Sequence, residues 1–172
     1  MVEAAAARDW KKIAVVTVPA IVLAGSASGW LSNSGYENDW FNGLVRPPFM
    51  PPSWAFPTVW TTLYVLMGAA LAMILATPES SERRLALTLF AVQLVLNFAW
   101  SPIFFGAHDI KLGEMVILAI LVVALAAAGL FRRIRTVAGL LMLPYLLWLC
   151  FAFALNSSFD RLNPGAGTSL FG

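Results

Sequence analysis

The sequence has very few of the residues that ordinary catalysis requires. It contains one cysteine, Cys150, and one histidine, His108, so it can form no internal disulfide and no cysteine–histidine metal cluster. Its long apolar runs hold no Asp, Glu or His away from their ends, which excludes a buried acid–base pair and a proton relay. It also lacks a glycine-rich phosphate-binding motif and a basic patch interleaved with aromatic residues. These absences argue against an ordinary enzyme, an ATP- or proton-coupled pump, a protein that requires a metal or cofactor, and a nucleic-acid-binding protein.

Apolar residues, by contrast, are abundant. They make up 60% of the 172 residues, charged residues make up 12%, and the mean hydropathy is +0.79. About 20 apolar residues cross a bilayer as a helix, and an uninterrupted run is typical of a helix rather than of a barrel strand. The sequence therefore predicts an all-α integral membrane protein, with one domain over 1–172. This domain is a bundle of five transmembrane helices at about 13–31, 54–77, 85–105, 112–131 and 137–156.

Lysine and arginine are divided unequally between the two ends of these helices. Eight lie on the side of the N-terminus and of the second and fourth loops, against three on the other side. The positive-inside rule then predicts a cytoplasmic N-terminus in a bacterial inner membrane, with an outer membrane as the alternative. Lys11, Lys12 and the small residues at 24–28 are also compatible with a cleavable signal peptide, but Asp9 and Pro19 favour a packed first helix.

The segment 46–68 brings prolines and aromatic residues together at the start of the second helix. Four prolines between 47 and 52 predict a stiff, extended approach to that helix. Phe56, Trp60, Tyr64 and Met67 then share one face, because residues three or four apart are neighbours on a helix. An aromatic stripe of this kind can stack on a flat ligand.

The third helix carries polar residues within its apolar run. Gln93, Asn97 and Trp100 share a face that would look into the bundle, and Pro102 would open the helix near its end. Polar residues inside a span are costly unless they are paired or used. Two interpretations stay open for Gln93 and Asn97: an interhelical hydrogen bond, worth on the order of 1 kcal/mol, or contact with a ligand.

The fifth helix repeats this pattern. Tyr145, Trp148, Ala152 and Asn156 line one face, and Pro144 before them would kink or widen the helix. Tryptophans in spans commonly form interfacial belts, but here the tryptophan of each of the three helices shares its face with another polar or aromatic group. The three faces together therefore predict one shared aromatic cavity.

The connections supply a cover for this cavity. The long first loop, 32–53, contains four aromatic residues, so we expect it to cap the cavity as a lid, with contacts from Trp40, Phe49 and Trp54. The proline and glycines after residue 163 predict a frayed C-terminal tail. Cys150 is expected in the core, and His108 in a solvated loop.

Three motifs on these faces resemble the TspO/MBR family of tryptophan-rich sensory proteins, whose animal members are the translocator proteins or peripheral-type benzodiazepine receptors. They are FPTVWTTLYVLMG at 56–68, LNFAWSPIFFGA at 96–107 and LPYLLWLCFAFALN at 143–156. The resemblance covers nearly the whole chain. It implies five transmembrane helices around a pocket covered by the first loop, usually in a homodimer. Porphyrins and other haem-type tetrapyrroles, sterols and benzodiazepine-type compounds are the implied ligands.

Carried over residue by residue, the family's pocket falls on Trp60, Tyr64, Asn97, Trp100, Tyr145, Trp148 and Ala152. Gln93 joins this set through its shared face with Asn97. In members that degrade protoporphyrin under light, the tryptophans matching Trp60 and Trp148 are implicated, which makes these two the candidate catalytic residues. The chain departs from the family at Phe49, where the entry motif usually has tryptophan, and at Ser157, where the sterol consensus needs tyrosine. The second departure argues against sterol binding through that motif.

The residues and the resemblance together favour a membrane protein that binds tetrapyrroles such as protoporphyrin in an aromatic cavity, and that senses or transports them. Stacking and burial would supply affinity, and polar groups such as Asn97 would supply orientation. One alternative is light-dependent degradation of the porphyrin by cavity tryptophans. Another is binding of sterol or membrane lipid, or a structural role in a membrane complex.

Overall fold

The computed structural model describes residues 9–167, and every regular element within that range is helical. The elements are α1 Trp10–Leu31, α2 Asp39–Gly43, α3 Ala55–Leu75, α4 Ser81–Ser101, a π-helical segment Pro102–Gly106, α5 Ile110–Ile134, α6 Thr136–Leu141 and α7 Leu143–Leu162. Five units are long and apolar enough to span a membrane: α1, α3, α4 with the π segment, α5, and α6 with α7. The prediction of an all-α membrane bundle is confirmed.

Four of the predicted spans are shorter than the helical units that contain them, and the third and fifth differ most at one end. The third begins at Ser81 rather than at 85, because the Ser80 side chain caps the helix there by accepting from the Arg83 N–H at 3.0 Å. The side chain of Arg83 folds back onto the end of α3. Its Nε donates to the carbonyl of Ile74 at 3.2 Å and its Nη2 to that of Leu75 at 3.0 Å. The fifth helix continues past 156 to Leu162. Polar groups at the two helix ends therefore belong to helix rather than to loop.

The helices are arranged in a closed ring. Helix α1 packs against α3 and α4, α4 packs against α5, α5 against α7, and α6 against α3. The approach of α1 to α3 depends on Gly68, where a Cβ would lie 2.6 Å from the Cα of Val18, and Thr17 Oγ1 donates to the Gly68 carbonyl at 2.8 Å. Gly25 of α1 lies against the ring of Tyr64. The first helix is thus an integral wall of the bundle.

Prolines shape the end of the third span and the start of α7 in the fifth span. Pro102 has no N–H to donate, and the chain continues from it as a π turn in which the Ala107 N–H reaches the Pro102 carbonyl at 2.8 Å. The wider turn leaves Phe104 and Phe105 buried. In the fifth span the chain breaks at Met142, and Pro144 lies in the first turn of α7, where proline is tolerated. Both predicted distortions are present.

An aromatic cavity beneath the first loop

The ring of helices encloses a cavity of about 580 Å³ at the end that carries the first loop. This volume lies within the roughly 300–1,000 Å³ that is usual for small-molecule sites. The walls come from α1, the first half of α3, the last turn of α4, the π segment, the first half of α5 and α7. Twelve of the 31 lining residues are aromatic, and they are Tyr36, Phe41, Phe56, Trp60, Tyr64, Trp100, Phe104, Phe105, Trp148, Phe151 and Phe159, together with Trp30 at the edge.

Trp60 and Trp148 form the centre of the aromatic wall. Their ring centroids are 6.3 Å apart and their planes are at 84°, so one indole meets the other edge to face. Tyr64 lies 5.3 Å from Trp60 at 32°, and Phe56 lies 6.0 Å from Trp148 at 74°. The cavity therefore presents both faces and edges of aromatic rings to any occupant.

A chain of hydrogen bonds holds one polar residue against this wall. Tyr64 Oη donates to Asn97 Oδ1 at 3.1 Å, Asn97 Nδ2 donates to Tyr145 Oη at 3.1 Å, and Tyr145 Oη donates to Gln93 Oε1 at 2.8 Å. Asn97 lines the cavity, whereas Gln93 and Tyr145 are completely buried one layer behind it. The amide of Asn97 is therefore fixed in orientation. One of its two N–H bonds points to Tyr145, and the other is not used in this chain.

The eight residues predicted to bind ligand divide into two groups. Trp60, Tyr64, Asn97, Trp100, Trp148 and Ala152 all line the cavity. Gln93 and Tyr145 do not line it; Tyr145 bonds to Asn97, and Gln93 bonds to Tyr145. For Gln93, the interhelical hydrogen bond that the sequence left open as one interpretation is present. Contact of the eight residues with a ligand stays a prediction.

Three buried polar atoms in the cavity-lining residues have no hydrogen-bond partner within residues 9–167. They are Trp100 Nε1, Trp148 Nε1 and Asn156 Oδ1. Trp100 Nε1 and Asn156 Oδ1 both lie within 3.4 Å of the point that a Cβ on Gly113 would occupy, so they converge on one bare stretch of α5. Buried atoms of this kind normally cost about 1–3 kcal/mol each when unpaired, and native cores contain few of them.

The aromatic side chains of the lid differ in their relation to the cavity. Tyr36, Phe41 and Met50 line the cavity, whereas Trp40, Phe49 and Trp54 do not. Trp54 is 68% exposed, Phe49 is 47% exposed and meets Phe151 edge on at 6.2 Å, and Trp40 packs against the third loop. The sequence shows that Tyr36 and Phe41 lie in an aromatic loop. It does not show which rings of that loop face the cavity.

The lid is stiffened from within. Asn38 caps α2 by accepting from the Phe41 N–H at 3.0 Å, and its amide donates to the Phe105 carbonyl at 3.4 Å. Arg46 lies over the ring of Tyr36 with its guanidinium carbon 4.6 Å from the ring centroid. The lid is consequently attached to the π segment through Asn38, and its Tyr36 ring is held against Arg46, which directly precedes the proline-rich segment.

The two residues with reactive side chains lie outside the cavity lining. Cys150 is exposed on α7, so its predicted core position is wrong. His108 is not a freely solvated loop residue either, because its ring stacks on Trp40 at 4.5 Å and 15°. Among the described residues no cluster of three or more His, Cys, Asp or Glu side chains could hold a metal ion.

The cavity opens sideways between α1 and α3. Ser26 and Trp30 of α1, and Pro57 and Thr61 of α3, line the cavity and are also exposed on the outer surface of the bundle.

Ser157, which departs from the sterol consensus, lies at the same end of the bundle. Its hydroxyl donates a hydrogen bond to Glu114 and so joins α7 to α5. The serine that replaces the consensus tyrosine is therefore used in helix packing.

These features define a multi-pass integral membrane protein with an aromatic cavity under its first loop. Comparison with known proteins agrees. The family model for the TspO/MBR family matches residues 15–162, and the chain belongs to that family. It is 42% identical over 128 residues to the tryptophan-rich protein TspO of Chlorobaculum tepidum, covering 73% of this chain and 80% of the relative.

Other relatives come from bacteria and animals. The chain is 39% identical over 127 residues to the protein CrtK of Rhodobacter capsulatus, covering 73% of this chain and 79% of the relative. It is 37% identical over 155 residues to the translocator protein of Sus scrofa, covering 86% of this chain and 92% of the relative. Family membership supports a sensory or binding role in a membrane.

Proposed function

We propose that this protein binds flat hydrophobic tetrapyrroles such as protoporphyrin in the aromatic cavity, and that occupancy of the cavity signals or limits their level in the membrane. The observation that carries the proposal is the convergence of aromatic faces from α3, α4 and α7 on one cavity of about 580 Å³. A planar conjugated ligand gains from stacking as well as from burial, and each aromatic pair contributes about 0.5–1.5 kcal/mol beyond its buried area.

The opening between α1 and α3 suits a ligand that partitions into the bilayer. Ser26, Trp30, Pro57 and Thr61 border it, and none of these side chains carries a charge. A hydrophobic molecule can therefore pass from lipid into the cavity without meeting a buried ion. The same opening supports a transport role, in which the ligand leaves past the lid after it has entered from the membrane.

The test is a titration of the purified protein in nanodiscs with protoporphyrin in the dark. Quenching of tryptophan fluorescence reports the binding. The double variant Trp60→Phe, Trp148→Phe is expected to bind about tenfold more weakly, which corresponds to about 1.4 kcal/mol. Trp54→Phe is the matched control, since Trp54 is 68% exposed and lies outside the cavity. Equal affinity of the folded double variant and the wild type would refute the cavity assignment.

Light-dependent degradation of the bound porphyrin is a second candidate function. Trp60 and Trp148 contact one another and both line the cavity, so a porphyrin in the cavity would touch two indole rings. An indole ring can give one electron to a photoexcited porphyrin, with dioxygen as the final oxidant. A product that appears only with light, oxygen and both tryptophans would support this function, and its formation at the same rate in the double variant would refute it.

The remaining proposals concern orientation and assembly. The lid lies at the end of the bundle opposite the helix ends that carry Arg83 and Arg133, so a cytoplasmic N-terminus in a bacterial inner membrane would place the lid outside the cytoplasm.

A homodimer stays a prediction. The small residues 126–129 of α5 could form part of a dimer face. Ala127 and Ala128, however, pack within the monomer core, while a Cβ added at Gly129 would have nothing within 4 Å.

A further inference from the structure

The segment that follows α7 is attached to the lid. The side chain of Asn163 pairs with the backbone of Val45 through two hydrogen bonds: the Val45 N–H donates to Oδ1 at 2.7 Å, and Nδ2 donates to the Val45 carbonyl at 3.0 Å. This is the bonding that an adjacent strand would offer. The frayed tail predicted from its proline and glycines is therefore wrong for 163–167, which we call the strap.

A second attachment lies at the other end of the strap. Trp40 Nε1 donates to the Ala166 carbonyl at 3.0 Å, and the same indole stacks on His108 at 4.5 Å and meets Phe104 edge on at 5.5 Å. Gly167 lies so close to the third loop that a Cβ there would be 2.9 Å from the His108 carbonyl oxygen. The strap thus joins the lid to the third loop.

The attached lid residues flank the part of the lid that closes the cavity. Trp40 precedes Phe41 in α2, and Val45 follows shortly after it, while Phe41 is only 3% exposed and lines the cavity. Helix α2 has five residues, which is far below the length at which a helix is stable alone. Its position over the cavity must therefore come from tertiary contacts, and the strap supplies two of them.

We propose that the strap is a latch, in which Asn163 and Trp40 are positioning residues that hold the lid closed and so set how long a ligand stays in the cavity. The inference rests on the proposed ligand-binding function. Asn163 and Trp40 do not line the cavity, so they act on the ligand through the position of α2. Lids are drawn from the least stable parts of a fold, where a few hydrogen bonds decide the open fraction.

The test compares Asn163→Ala, Trp40→Phe and the double variant in nanodiscs. Asn163 also donates to the Phe159 carbonyl at 2.9 Å, so its loss could loosen the end of α7. Trp40→Phe keeps an aromatic ring beside His108 and Phe104, with a smaller stacking area, and removes the bond to the strap. Ser158→Ala is the control, because this hydroxyl donates back to Ala154 within α7. Thermal unfolding establishes that each variant is folded.

Two measurements separate the latch from the binding site. Hydrogen–deuterium exchange of the lid amides without ligand is expected to be faster in both single variants and unchanged in Ser158→Ala. Dissociation of protoporphyrin in stopped flow is expected to be about threefold to tenfold faster, with no slower association, since each variant loses one or two hydrogen bonds of ordinary strength. A wall variant such as Trp148→Phe should speed dissociation without changing lid exchange.

Each result has a defined meaning. Unchanged exchange of the lid in Trp40→Phe and Asn163→Ala would overturn the attachment of the lid by the strap. Faster exchange with unchanged dissociation would overturn the latch. If the wild type binds no protoporphyrin, the proposed function fails, while the exchange measurement still supports or overturns the attachment.

Discussion

Substitution of Tyr145 by phenylalanine tests how the buried polar layer supports the cavity. The Tyr145 hydroxyl accepts from Asn97 Nδ2 at 3.1 Å and donates to Gln93 Oε1 at 2.8 Å, so it is the central member of the chain. The ring itself is completely buried, and phenylalanine would preserve its packing. The change therefore removes one oxygen atom and two hydrogen bonds, with little alteration of shape.

The expected magnitude follows from those two bonds. Hydrogen bonds between membrane helices average about 0.6 kcal/mol and reach about 1.7 kcal/mol. Gln93 Oε1 would lose its partner inside a wall from which water is excluded, which adds to the cost. We expect a loss of about 1–3 kcal/mol in the free energy of unfolding, together with weaker porphyrin binding because the Asn97 amide is no longer fixed.

Unfolding in mixed micelles, followed by circular dichroism over a denaturant series, measures the change. A double-mutant cycle with Gln93→Leu is expected to give a coupling energy of at least about 0.5 kcal/mol. Tyr36→Phe is a matched control, since it removes one lid hydrogen bond, to the Pro51 carbonyl at 2.6 Å, outside the buried layer. Additive effects of Tyr145→Phe and Gln93→Leu would refute the reasoning that the two act as one chain.

Two further predictions concern helix packing. Gly68→Ala places a Cβ 2.6 Å from the backbone of Val18, so α1 must move away from α3. We expect a loss of about 1–3 kcal/mol in the free energy of unfolding. Gly43→Ala is the control: its Cβ would have nothing within 4 Å, and it should change this free energy by less than about 0.5 kcal/mol. Arg83→Met removes the donor to the Leu75 carbonyl, one of the donors to the Ile74 carbonyl, and an ion pair with the exposed Glu79 at 3.6 Å. A lowered thermal midpoint is expected, and most of the loss should persist in added salt, because salt screens the ion pair and not the bonds to backbone. Equal midpoints in Gly68→Ala and Gly43→Ala, or an unchanged midpoint in Arg83→Met, would contradict these accounts.

The spans could be predicted from hydropathy because a bilayer imposes one length and one chemistry on any helix that crosses it. Their ends could not, since charged and polar residues were assumed to lie in loops. Arg83 finds carbonyls on a neighbouring helix end, and Ser157 finds Glu114 on α5. Those partners lie outside the segment that carries each residue, so the pattern of a single segment does not reveal them.

The sequence predicts which side of each helix faces the cavity, but not which residues on that side reach it. A spacing of three or four residues places Gln93, Asn97 and Trp100 on one face, yet Gln93 is buried one layer behind the cavity while the other two line it. Tyr145 and Trp148 differ in the same way. Periodicity reports the direction of a side chain around its helix, whereas the extent of the cavity along the axis depends on how all five helices pack.

The sequence by itself determined the class of the protein, its five spans, the family to which it belongs and the aromatic faces that meet inside it. Only the tertiary structure decided which side chains reach the cavity, which rings of the first loop close it, and that the strap holds Trp40 and Val45 in place. The physical reason is the range of the interactions. Burial in lipid acts on each segment through its own composition, whereas a hydrogen bond between Val45 and Asn163 exists only after the ring of helices has brought them together.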